Sequence, residues 1–293
     1  MSTEEPQSPC HFFQTQSWYV WNRISFARKM KLRVSETSIT EELLYRFYMA
    51  FSDRSIPIRL FESINEHKNG SDIEVLVETD SGFLLLTCQA KITYKSGKYK
   101  SFYHQVGGAR QIDLLRAYAD KHGGIAQYLL FNFIPDWRMS KGVAALEKYA
   151  DHGITHISAD KIYEWMDEIK KEGEKSMVPG FNEFHPKLAK PFHELLCKLF
   201  REGTADSRDL AIDRLNGLKY YSEDEVASTN SWRKITTLAT IGYLEAEVTM
   251  NSLDYNGDIA PSQKQQKPTP EFNPKFRIVI GKNPNNGGIY PLE

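Results

Sequence analysis

The sequence predicts an α/β fold, with a central mixed sheet flanked by helices and an additional, mostly helical C-terminal region. Three observations carry this. Two short apolar strands, 72–79 and 83–91, are separated by Asp80-Ser81-Gly82, whose composition is that of a tight turn, so they read as a hairpin. A helix-period stretch, 105–121, leads into the near-continuous apolar run 124–133, GIAQYLLFNF, as expected of a buried central strand. The order strand, helix, strand fits a right-handed crossover. Helical segments 38–51 and 159–171 then flank a sheet completed by strands 58–66 and 154–158.

The bulk numbers narrow the classes. The chain has 293 residues, 41% hydrophobic and 26% charged, ordinary for a folded protein of one large or two smaller domains. Net charge is −1, so a nucleic-acid surface, if present, is local rather than global. The three cysteines, Cys10, Cys88 and Cys197, are widely spaced and odd in number, which suits a reducing cytoplasm and argues against a disulfide framework or a zinc ribbon. No apolar run reaches the length of a membrane span, and the polar, acidic first ten residues read as no signal peptide.

Taken in order, residues 1–34 form an N-terminal segment. Its stretch 11–32 is aromatic first (Phe12, Phe13, Trp18, Tyr19, Trp21) and basic later (Arg23, Arg28, Lys29, Lys31), with Arg33 just beyond. This is an amphipathic helix that either packs on the core or faces a partner or DNA. The core spans 35–172. Its first helix is capped by Ser38 or Thr40, with Glu41 and Glu42 in the first turn, where the helix dipole favours acids. Helix 159–171 is capped by Ser158 or Asp160. Residues 173–293 form a C-terminal region with no recognisable motif, containing a helix at 186–202 and a strand at 276–280. His152 and His156 have metal-ligand spacing for a helix, but Gly153 and the β-branched run between them argue against one.

The chemistry concentrates at one end of the hairpin. Alternation points Gln89 and Lys91 to the same face and Ala90 to the other. With Asp72 on the neighbouring strand, a carboxylate, an amide oxygen and an ammonium converge. A carboxylate and a neutral oxygen suit Mg²⁺, with Mn²⁺ able to substitute, and a lysine beside them can position or deprotonate a water. Glu74, two residues on, shares the face of Asp72 and is a candidate second ligand. Between Ser81 and Ile112 there is no acid, while Lys91, Lys95, Lys98, Lys100 and Arg110 interleave with Tyr94, Tyr99, Phe102 and Tyr103. Lysines and arginines bind phosphates and aromatics stack on bases, so this is the candidate substrate surface.

Asp72, then Gln89-x-Lys91, resembles the PD-(D/E)xK nuclease superfamily in its variant with Gln in place of the second acid. Gly70-Ser71-Asp72, Gln89-Ala90-Lys91 and Gln111-Ile112-Asp113-Leu114-Leu115 resemble, more closely, an uncharacterised bacterial family with the pattern G-(A/S)-D, Q-A-K, Q-I-D-x-L. The resemblance covers about residues 35–170. It implies a restriction-endonuclease-like sheet and a Mg²⁺-dependent nuclease, acting on DNA, with RNA the rival substrate, in a restriction or anti-phage setting. It further implies an acid from the first strand (Glu66) or the preceding helix (Glu36, Glu41 or Glu42). It gives Gln111 a role in orienting Lys91 or touching a phosphate, and suggests a homodimer or a subunit of a larger complex. The rival reading is a nuclease fold that binds nucleic acid or a partner without cutting.

Overall fold

The computed structural model describes residues 9–52, 58–63, 72–99, 102, 104–135, 149–171, 178–204, 210, 217–227, 232–235 and 272–281. A mixed sheet with helices on both faces forms the body of the protein, as the sequence predicts. Its strands are β1 (Ile58–Ser63), β2 (Asp72–Thr79), β3 (Gly82–Ile92), β6 (Ile125–Phe131), β7 (Ile154–Ser158), β8 (Lys190–Pro191), β9 (Tyr220–Tyr221), β10 (Trp232–Lys234) and β11 (Phe276–Ile280). Across the sheet the order is β10-β1-β11-β2-β3-β6-β7-β8, with β9 extending the β6 side of β3. A separate two-stranded ribbon pairs β4 (Gln105–Val106) with β5 (Ala109–Arg110).

The hairpin expected at 72–91 is present. β2 and β3 pair antiparallel from Asp72↔Gln89 to Thr79↔Gly82, which leaves Asp80 and Ser81 as the turn. The Thr79 hydroxyl donates to the Gly82 carbonyl at 2.6 Å and locks that turn. Opposed residues of an antiparallel pair share a face, so alternation sorts the hairpin cleanly. Ile73, Val75, Val77, Leu84, Leu86, Cys88 and Ala90 enter the larger core. That core lies under α1 (Pro9–Lys29), α2 (Glu36–Ser52) and α5 (Phe192–Glu202). Asp72, Glu74, Thr87, Gln89 and Lys91 fall on the opposite face. There α3 (Gln111–His122) and α4 (Ala159–Lys171) pack through Ile112, Leu115, Ile162 and Met166 against Tyr128 and Leu130.

Some elements depart from the sequence-based expectation, each for a local reason. Ser35, not Ser38 or Thr40, caps α2: its hydroxyl accepts from the Ser38 N–H at 3.2 Å, and the Ser38 hydroxyl returns to the Ser35 N–H at 2.9 Å. Ser158 caps α4, accepting from the Asp160 N–H at 3.1 Å. Helix α3 starts at Gln111 rather than 105. Gly107 (φ 58°) and Gly108 (φ 90°) both take left-handed backbone and form the turn of the β4–β5 ribbon, as two-residue hairpin turns demand. The expected strand 58–66 is described over Ile58–Ser63.

The largest difference concerns the C-terminal region, which does not stand apart as a mostly helical addition. β11 lies between β1 and β2, antiparallel to the first and parallel to the second, and β8, β9 and β10 extend the same sheet. Its pairing, Ile58↔Ile280 to Glu62↔Phe276, means that β1 meets β2 only through β11. A break at 172/173 would cut through one sheet. The reason is burial: Phe276, Ile278 and Ile280 fill the core below α2, and Val279 fills a smaller cluster with Phe61, Leu76 and Leu85 on the other face. α1 seats against the 3-10 turn Tyr149–Gly153 by direct backbone approach; a Cβ on Gly153 would lie 1.8 Å from the Ser17 carbonyl oxygen.

Two histidines are buried neutral and set an acid limit. His156, on β7, has Nδ1 3.3 Å from Gln127 Oε1, and burial first, then Lys190, lowers its pKa to about 3. His185 lies between the Phe181 carbonyl (2.8 Å) and Thr155 Oγ1 (2.9 Å), and burial lowers it likewise to about 3. A folded pKa below the unfolded value means full stability above pH ~6.5, with loss as pH falls from there toward 3. At pH 5 each group costs roughly 2 kcal/mol. Urea unfolding should therefore lose about 4 kcal/mol between pH 7 and pH 5, and an unchanged midpoint would refute the assignment. The pair with metal-ligand spacing, His152 and His156, does not share a helix: His152 lies in the 3-10 turn and His156 on β7.

Candidate functional site

The expected site lies at the open end of the β2–β3 hairpin. Asp72 is the first residue of β2 and stands opposite Gln89 in register. Directly opposed strand residues have Cβ atoms about 5 Å apart, so the Asp72 and Gln89 positions can serve one ion. Gln89 is fully buried and Lys91 nearly so. Strand alternation places Asp72, Gln89 and Lys91 on one face, the arrangement the catalytic reading needs.

Lys91 is held from above. Its Nζ donates to Gln111 Oε1 at 3.2 Å. Gln111 reaches it because the β4–β5 ribbon sets the first turn of α3 over the end of β3, with the Gln111 N–H on the His104 carbonyl at 3.0 Å. Of the two roles the resemblance offers Gln111, the geometry supplies the contact to Lys91.

Glu74 shares this face but is engaged elsewhere. One carboxylate oxygen accepts from Tyr118 Oη of α3 at 2.6 Å, and the other from Arg277 Nε of β11 at 2.7 Å. Glu74 is 1% exposed, so this is a buried charge with its partners in place. The Trp232 ring covers the Arg277 guanidinium, with its centroid 4.4 Å from the carbon. Burial, and then the Glu74 charge, push the Tyr118 hydroxyl far above its usual pKa, which keeps it a proton donor. Each oxygen of Glu74 thus already accepts a hydrogen bond, and a metal there would have to compete with a guanidinium. Neither Tyr118 nor Arg277 was a sequence candidate. Tyr118 lies on an ordinary amphipathic helix, and Arg277 lies 203 residues from its partner.

The remaining candidates divide. Arg110 is committed: it donates to both oxygens of Asp113, at 2.7 and 3.0 Å, and to Tyr163 Oη at 3.0 Å. These bonds, with Asp113 first among them, raise its pKa further and leave it a paired cation rather than an open phosphate ligand. Lys95 and Lys98 are exposed at the tip that follows β3. Glu66 and Lys100 lie outside the described residues. Of the α2 acids, Glu42 pairs with Arg23 at 2.8 Å and Tyr19 at 2.8 Å, and Glu41 is exposed. Glu36 Oε1 accepts from the Ile92 N–H at 3.4 Å, one residue beyond Lys91.

The donor set can be tested against Mg²⁺ on these positions. Among the described residues no cluster of three or more His, Cys, Asp or Glu could hold a metal. Mg²⁺ does not require one; it is commonly held by one or two carboxylates, waters and substrate phosphates. By residue type, the opposed Asp72 and Gln89 supply one carboxylate and one amide oxygen.

Among the described residues no helix is long and apolar enough to cross a membrane. No curated protein and no solved structure matches the chain. A family profile described as "Family of unknown function (DUF6615)" matches residues 9–277, from the first turn of α1 into β11, and the chain belongs to that family.

Proposed function

We propose that this protein is a metal-dependent nuclease hydrolysing phosphodiester bonds in DNA. The observation that carries the reading is the placement of Asp72, Gln89 and Lys91 at one end of one hairpin face, with Gln111 holding the Lys91 ammonium at 3.2 Å. Asp72 and the Gln89 oxygen would hold Mg²⁺, which when bound supplies Lewis-acid charge beside the scissile phosphate. Lys91 orients the attacking water and offsets charge developing on the phosphate oxygens. Gln111 limits the geometries the lysine can take, and acts through it. Lys95 and Lys98 lie on the path of the strand leaving the site.

The test is cleavage of plasmid DNA, and of single-stranded DNA and RNA, with Mg²⁺, with Mn²⁺ and with chelator, for the wild type beside Asp72→Ala. Metal-dependent cutting that Asp72→Ala abolishes is the expected result. Cutting that persists in chelator or in Asp72→Ala sinks the assignment.

A second reading, binding without cleavage, is favoured by one observation. Glu74, Glu42 and Glu36 each spend carboxylate oxygens on other partners. Those three acids are then less available to complete a metal shell beside Asp72. Tight binding of the same nucleic acids with no cutting in either metal would decide for it.

A further inference from the structure

The end of α1 joins the tip after β3 to make one exposed, basic and apolar surface. Phe26, Met30 and Leu32 are 55–58% exposed, unusually high for large apolar side chains. Lys29, Lys31 and Arg33 alternate with them and are exposed as well. Lys31 takes left-handed backbone (φ 58°), and the Leu32 N–H closes the helix on the Ala27 carbonyl at 2.8 Å. The segment 29–33 thereby presents five exposed side chains in a row.

Arg28 ties this end to the tip. Its guanidinium donates to the Phe133 carbonyl at 2.7 Å, to Thr93 Oγ1 at 3.0 Å and to the Thr93 carbonyl. Thr93 stands two residues beyond Lys91, about 7 Å of strand. Tyr94, partly exposed, and the exposed Lys95 and Lys98 follow. Burial raises the Tyr94 hydroxyl, with Glu36 adding to the effect and Arg33 opposing it, so the two segments share one electrostatic neighbourhood. Among the described residues Lys29, Lys31, Arg33, Lys95 and Lys98 make no ion pair; the acids nearby are Glu36 and, beside Lys98, Glu183, whose carboxylate accepts from the Gly180 N–H at 2.9 Å.

We propose that this surface binds single-stranded nucleic acid, with Lys29, Lys31, Arg33, Lys95 and Lys98 on phosphates and Phe26 and Tyr94 stacking on unpaired bases. Charge complementarity selects a polyanion. Exposed rings beside unpaired cations suit bases that are free to stack, which a duplex does not offer. The proposal deepens the nuclease reading, because the surface begins two residues past Lys91, but binding does not depend on cleavage.

The experiment measures binding of full-length protein to labelled 30-nucleotide single strands of DNA and of RNA, and to a 30-base-pair DNA duplex, in chelator and over a salt series. The variants are Lys29→Ala/Lys31→Ala/Arg33→Ala and Phe26→Ala, both at exposed positions and checked for folding by circular dichroism. The triple variant should weaken single-strand binding at least tenfold and flatten the slope of log K against log salt by about 2. Phe26→Ala should weaken single-strand binding by about fivefold or more with little change on the duplex. Comparison of the DNA and RNA arms identifies the strand. Single-strand binding unchanged in both variants overturns the proposal. So does binding to phosphatidylserine vesicles that both variants lose while nucleic-acid binding stays, since the surface would then be a membrane contact. The cleavage assay with Asp72→Ala is scored separately. Cutting lost in Asp72→Ala beside unaltered binding by the surface variants removes the surface and keeps the nuclease; surface-dependent binding without cutting does the reverse.

Discussion

On the proposed nuclease reading, replacing Lys91 with methionine should lower the single-turnover cleavage rate by about 10²–10⁴-fold, the range for losing a positioned proton-transfer group, while the fold persists. Methionine keeps the length and much of the volume of the lysine stem. Lys91 is 6% exposed, so the substitution removes a buried ammonium rather than opening a cavity. The urea midpoint should therefore stay level or rise as activity disappears. Gln111→Leu, which takes away the acceptor 3.2 Å from Lys91 Nζ, should give a smaller loss confined to kcat, with KM little changed. A Lys91→Met enzyme cutting within tenfold of wild type would remove Lys91 from the chemistry.

Arg277→Ala gives the largest loss of stability, about 3–5 kcal/mol, the usual cost of stranding one partner of a buried ion pair. Glu74 is 1% exposed, and with Arg277 gone only Tyr118 remains of the two donors to its carboxylate. For a chain of this size the melting temperature should fall by roughly 10 °C. Arg277→Met/Glu74→Gln removes both charges together and should recover most of the loss. Guanidinium-induced unfolding of the single and double variants at neutral pH is the check. A loss under about 1 kcal/mol for Arg277→Ala would mean that Glu74 finds water or another cation, and that β11 is held by its apolar residues alone.

These two outcomes separate the two roles of one sheet face. Lys91 lies at the end of β3, where the chain leaves the sheet, under Gln111 at the start of α3. Glu74 pairs with Thr87, four residues back from Lys91, where Tyr118 of α3 and Arg277 of β11 close over it. The same alternation that puts Glu74 beside Asp72 puts it under Tyr118. Sharing a face was the argument for Glu74 as a metal ligand, but a face has depth, and position along the strand decides what lies above each residue.

The hairpin was legible in the residues because its signals are local. Turn residues at 80–82, alternation along 72–79 and the apolar run 83–88 place every side chain of β2 and β3 on a definite face once the strands pair. Helices α1, α2 and α4 followed from their periodicity and strand β6 from its apolar run, while the cap of α2 fell at Ser35, ahead of both Ser38 and Thr40, because several hydroxyls compete for that helix start. The contact of Gln111 with Lys91 was foreseen as one of two roles, but the ribbon that delivers it was not. Gly107-Gly108 suits a helix approach and a tight turn equally, and the pairing of two short strands chose the turn. The place of β11 had no signature at all. Phe276–Ile280 reads as a strand, yet nothing in its period names β1 and β2 as neighbours, and a contact 203 residues apart is selected by the whole packed core rather than by any segment. Local pattern therefore settled which residues share a face, since side-chain alternation is a property of the single strand. Which of them end up sealed in an ion pair and which stay at the open rim is a property of what packs on that face, and tertiary structure alone decided it.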